Sequence, residues 1–115
     1  MRRLPLSGEL QTEKCKPCEG EINLLSATET DPLISSLSGW IREGNTIVKN
    51  YRFKDYYDVL AFVNATAWIS HREDHYPDLT TCYQQSRVRF ATHAIGGLST
   101  NDFICAAKMD ALFGL

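Results

Sequence analysis

The 115-residue chain predicts an α+β domain, a four-stranded antiparallel sheet with its helices packed on one face. Three observations predict it. Apolar residues at helical spacing alternate with two β-branched and aromatic segments, and each of those segments is split by a short polar turn. The resulting order is helix, hairpin, helix, hairpin, helix, and stacking the helices on one side of the sheet is the simplest way to bury each apolar stripe. A hydrophobic fraction of 43% suffices for one core and not for two.

Residues 1–27 are polar and carry no helical or strand period, so they are expected to form an irregular, loosely packed N-terminal arm before a domain spanning 28–115. Thr28-Glu29-Thr30-Asp31-Pro32 reads as a helix entry with a hydroxyl cap and Pro32 in the first turn, Leu33, Ile34 and Leu37 forming the stripe and Gly39 the stop. Trp40 to Arg42 and Thr46 to Phe53 flank Glu43-Gly44-Asn45 as a first hairpin. From Asp55 the period changes. Tyr56, Val59, Leu60, Val63, Ala67 and Trp68 predict a long helix running to His71 or Arg72. Leu79–Tyr83 and Arg87–His93 around Gln84-Gln85-Ser86 predict the second hairpin, with Val88, Phe90 and Thr92 on one face and His93 at the strand's end. Ser99-Thr100-Asn101-Asp102 fits a capping box that opens a last helix from Thr100 to about Leu112.

Twelve basic and fourteen acidic residues give a formal charge of -2 without long runs of either sign, which argues against direct nucleic-acid binding. Pro5 and Glu9 interrupt the basic start before an apolar run develops, and no other run reaches membrane-spanning length, so a cytoplasmic protein is expected. Reduced thiols are then expected for all four cysteines. Cys15-Lys16-Pro17-Cys18 is half of a zinc site or a thiol-redox element, but Cys82 and Cys105 lack the spacing to complete four ligands, so no metal is assigned.

The most informative stretch is His71-Arg72-Glu73-Asp74-His75-Tyr76-Pro77, followed by Tyr83, His93 and Asp102, because it includes all three histidines. Imidazole titrates near neutrality, so two histidines that converge can donate and accept a proton. Each residue also has an ordinary reading: a solvated histidine, a packed Tyr83, an Asp102 that caps its helix.

Taken together, His71, three residues, His75-Tyr76-Pro77, five residues, Tyr83, nine residues, His93, eight residues and Asp102 resemble the pattern of the pterin-4a-carbinolamine dehydratases, the family also known as a dimerisation cofactor of a homeodomain transcription factor. The resemblance covers about Thr28 to Leu112. It implies dehydration of a 4a-hydroxytetrahydropterin to the quinonoid dihydropterin, which recycles the cofactor of aromatic amino acid hydroxylases, with the pterin as substrate and neither metal nor other cofactor. His75 and His93 become the general acid/base pair; Tyr76, Pro77, Tyr83 and Asp102 contact the pterin or orient an imidazole; His71 supports His75 from behind. A homodimer or homotetramer is implied, with an aromatic hydroxylase as possible client. Two positions depart from the commonest family form: His71 stands where Glu is usual, and Tyr76 replaces the second histidine of His-His-Pro. A phenol with a pKa of about 10 does not exchange a proton near neutrality as imidazole does. The alternative is therefore a pterin-binding or protein-partner module with reduced turnover.

Overall fold

The computed structural model describes residues 7–17 and 22–114. Four antiparallel strands, β1 (Ile41–Glu43), β2 (Thr46–Arg52), β3 (Asp78–Cys82) and β4 (Gln85–Phe90), form one sheet in the order β1-β2-β4-β3. Each hairpin thus contributes one edge and one central strand. The central pair sets Ile47 opposite Phe90 and Lys49 opposite Val88. Ile47, Tyr51, Val88 and Phe90 point to the helices and are buried, whereas Asn50, Arg87 and Arg89 lie on the open face. There Glu43 accepts from both Arg87 and Arg89 at 2.8 Å, and Arg89 first, then Arg87, hold its carboxyl below the usual range.

The helices α2 (Ala27–Ser36), α3 (Tyr56–Glu73) and α4 (Thr100–Phe113) cover the inner face, as the order of patterns predicts. Helix α2 starts upstream of the expected entry. Ser26 and Glu29 form the capping box, and Pro32 sits inside the helix rather than in its first turn. The helix ends at Ser36, with Leu37 extended, before Gly39 adopts a left-handed φ of 82°.

Helix α3 buries a different stripe from the expected one: Val59, Phe62, Thr66 and Ser70 face inward, while Tyr56, Leu60 and Trp68 are exposed. The reason is local hydrogen bonding. Thr66 donates to the carbonyl of Val63 at 2.7 Å and Ser70 to that of Thr66 at 2.9 Å, so two small hydroxyl side chains are buried without orphaned groups and let a neighbour approach closely. The second hairpin turns one step earlier than expected, at Tyr83-Gln84, because Ser86 continues the inward face of Val88 and Phe90.

The stretch read as an arm is partly built into the fold. Residues Ser7–Leu10 form a short helix, α1, that packs on α4, and Leu10 is 0% exposed in the core. Further on, the Leu25 N–H donates to the Leu98 carbonyl at 2.9 Å. Asp110 ties α4 to the sheet, accepting from the Trp40 indole (3.1 Å), Lys49 (2.8 Å) and the Tyr51 hydroxyl (2.5 Å). Burial and then the Asp110 carboxylate push the Tyr51 phenol far up, which keeps it a donor. Leu10→Ala is expected to lower the unfolding free energy by about 2–5 kcal/mol in urea titration. A change under about 0.5 kcal/mol, the size of an ordinary surface substitution, would show that Leu10 is not part of the core.

Candidate active site

His75 owes its place to the way α3 stops. Asp74 takes the left-handed conformation at φ 51° and its N–H reaches the His71 carbonyl, while the His75 N–H bonds back to Ser70 at 3.1 Å. This closing turn satisfies the last carbonyls and drives His75 inward. Pro77 then biases Tyr76 toward extended geometry and into β3.

The His75 ring is 5% exposed and lies parallel to Phe90, with 5.9 Å between centroids and 8° between planes. Its Nε2 lies 2.6 Å from Oδ1 of Asp102, which is 0% exposed. Asp102 is the third residue of α4, and its Oδ2 accepts the Ser99 N–H at 2.9 Å, completing the capping box. The same Oδ2 accepts the Thr92 hydroxyl at 2.8 Å, and Thr92 and Ser99 share a hydroxyl contact of 2.7 Å. One carboxylate thus caps a helix, holds the loop after β4 and binds an imidazole. Asp102 caps its helix as its position predicts, and it also contacts the His75 ring.

His93 is not at a strand's end. Strand β4 stops at Phe90, Thr92 bridges to Gly97, and His93 opens a one-turn 3-10 helix, His93–Ile95, with its side chain exposed. Its neighbour Thr92 is the residue that reaches Asp102. Tyr76 and Tyr83 are exposed, Tyr83 at 69%, and Pro77 is half-buried between them. The His71 side chain is exposed and hydrogen-bonds neither His75 nor Asp102; it assists His75 only through its backbone carbonyl in the closing turn. The structure therefore joins His75 to Asp102 and leaves His93, Tyr76 and Tyr83 on the surface. Sequence reasoning missed Thr92, Ser99 and Phe90 as site residues, although the inward face of β4 pointed to a buried hydroxyl at Thr92.

A cavity of about 460 Å³ lies at the other end of α3, lined by Phe53, Phe62 and Phe113 beneath Arg52 and Lys54, and contains none of these residues. Among the described residues no cluster of three or more potential metal ligands occurs. Cys18 lies outside the described residues, so its pairing with Cys15 is not addressed. Cys15 contacts Cys105 instead, with sulfurs 3.5 Å apart. The Cys105 thiol, burial and the Glu73 carboxylate push the Cys15 thiol far up and keep it protonated.

The site is a buried histidine held by a helix-capping carboxylate, packed on Phe90 of the central strand β4 in a small α+β domain. The family model for pterin 4 alpha carbinolamine dehydratase matches residues 23–112. The chain is 58% identical over 105 residues to a relative from Nitrosospira multiformis carrying the pterin-4-alpha-carbinolamine dehydratase name, covering 91% of this chain and 93% of the relative. It is 54% identical over 106 residues to one of the same name from Nitrosomonas europaea, covering 91% and 94%. A crystal structure of a transcriptional coactivator/pterin dehydratase from Brucella melitensis superposes with a TM-score of 0.76 at 28% identity, covering 78% of this chain and 98% of that one. The chain belongs to the pterin-4a-carbinolamine dehydratase family. No helix among the described residues is long and apolar enough to cross a membrane.

Alkylation at neutral pH with peptide mapping is expected to modify exposed Cys82 well before Cys15 and Cys105, which should react only on unfolding. Equal rates at the three would contradict the packing of Cys15 against α4.

Proposed function

We propose that the chain removes water from a 4a-hydroxytetrahydropterin to give the quinonoid dihydropterin. The observation that carries this reading is the 2.6 Å contact between His75 Nε2 and buried Asp102, inside the segment that the family model matches. An ionised carboxylate only accepts hydrogen bonds, so Asp102 holds a proton on Nε2 and leaves the Nδ1 lone pair as the base. Nδ1 takes the N5 proton of the pterin. The N5 electron pair forms the C4a–N5 double bond, the C4a–O bond breaks, and the hydroxyl leaves as water with a proton supplied by the exposed His93. Tyr76, Pro77 and Tyr83, which follow His75 along the surface, supply contacts to the ring system. The pterin is substrate, and the step as written draws on no metal and no further cofactor. A homo-oligomer and an aromatic amino acid hydroxylase as client belong to the same proposal, by likeness to the family.

His75→Ala and His93→Ala are each expected to lower catalysed dehydration on the order of a hundredfold, as loss of a general acid or base does, measured above the spontaneous rate. Wild-type rates in both variants would remove the assignment. Tyr76 motivates the other reading, a pterin- or partner-binding module. With an efficient enzyme, Tyr76→His changes turnover by less than about tenfold, equivalent to about 1.4 kcal/mol in the barrier. Negligible wild-type turnover that rises steeply in Tyr76→His would favour the module.

A further inference from the structure

Two polar side chains beside the site remain unexplained by the chemistry above. Glu73 closes α3 two residues before His75, and its side chain is only 6% exposed although a carboxylate at a helix C-terminus faces the negative end of the dipole. Asn101 precedes Asp102 in the first turn of α4 and is buried, although asparagine is a poor helix former. The same short piece of chain hydrogen-bonds both, and Lys108 Nζ lies 4.0 Å from Glu73 Oε2 as its counter-charge. The Cys15 N–H donates to Glu73 Oε1 at 2.8 Å. The Lys16 N–H donates to Asn101 Oδ1 at 2.9 Å, and Asn101 Nδ2 donates to the Lys16 carbonyl at 2.8 Å, so the amide pairs with the backbone as a neighbouring strand would. Cys15 Sγ lies against Cys105 Sγ one turn further along α4. Leu10, buried in the core, and Lys108, which donates to the Gln11 carbonyl at 2.9 Å, anchor the piece on its other side.

These contacts span a particular gap. Glu73 belongs to the helix end that delivers His75, and Asn101 to the helix start that delivers Asp102. The family model begins at residue 23, and the Brucella melitensis structure spans only 78% of this chain, whereas the Nitrosospira relative matches 91% of it. The bridging segment lies ahead of the part of the chain that the family model matches.

We propose that Cys15 and Lys16 form a brace that fixes the distance between His75 and Asp102, with Glu73 and Asn101 as positioning residues. Misplacement of reacting groups by about 1 Å can cost on the order of a hundredfold in rate, so a brace on a 2.6 Å contact acts on turnover more than on binding. The kinetic part of the test rests on the dehydratase reading; the spectroscopic part does not.

Asn101→Ala and Glu73→Ala are each expected to lower kcat about tenfold with KM within about twofold of wild type. In the same variants the His75 Nε2 proton, followed by NMR, should exchange with solvent at least about tenfold faster, since a freed imidazole opens more often. Glu73→Gln gives up the charge opposite Lys108 but keeps an oxygen acceptor for the Cys15 N–H, and should restore both readouts. Circular dichroism establishes folding, and if Asn101→Ala does not fold, the two Glu73 variants carry the test. Folded alanine variants with wild-type kcat and unchanged proton exchange would overturn the brace, as would a Glu73→Gln that fails as badly as Glu73→Ala. A wild-type protein without dehydratase activity would sink the dehydratase reading alone, and the exchange measurement would still decide on the brace.

Discussion

Everything near the site depends on satisfying one buried carboxylate. Asp102 has no contact with solvent, and a charge in that position is tolerated only if donors surround it. Its donors come from three segments: the turn after α3, the loop after β4 and the N-terminus of α4 itself. Removing any of them leaves a desolvated charge at a helix start. The constraint explains why hydroxyls occupy 92 and 99 and why the inward face of β4 continues two residues beyond its last strand position.

Helix α4 carries a second carboxylate at its other end, and the two divide the labour. Asp110 fastens the helix to the sheet through Trp40, Lys49 and Tyr51, with Lys49 also over the Tyr51 ring at 4.8 Å. Between these ends the residues from Asn101 to Ala107 are buried on every side. A helix enclosed this completely has little freedom to shift along its axis. That rigidity holds Asp102 in register with His75.

Much of the fold was legible from local patterns. The Gly44-Asn45 turn, the inward triad Val88, Phe90 and Thr92, and the Ser99–Asp102 box depend on neighbours in sequence, and all three appear as read. The α3 stripe was not legible, because polarity alone does not reveal that Thr66 and Ser70 consume their own hydroxyls against the helix backbone. The burial of Leu10 was missed for a related reason: it lies between polar neighbours, and its burial depends on a surface that α4 supplies ninety-odd residues later. At the site, the structure brings His75 and Asp102 of the spaced pattern together and leaves His93 on the surface. Which pairs touch is a tertiary fact, set by a left-handed Asp74 and by the end of β4 that no periodicity marks.

The closure of the core between Leu10 and α4 has a consequence for how the protein is made. Contacts of such long sequence separation form late, since a large loop must be closed before any of them stabilises the chain. During synthesis the two hairpins leave the ribosome with the apolar face of Ile47, Tyr51, Val88 and Phe90 covered only in part, by α2 and α3, until α4 follows. The nascent chain therefore passes through an interval in which its sheet is sticky and His75 has no carboxylate to hold it.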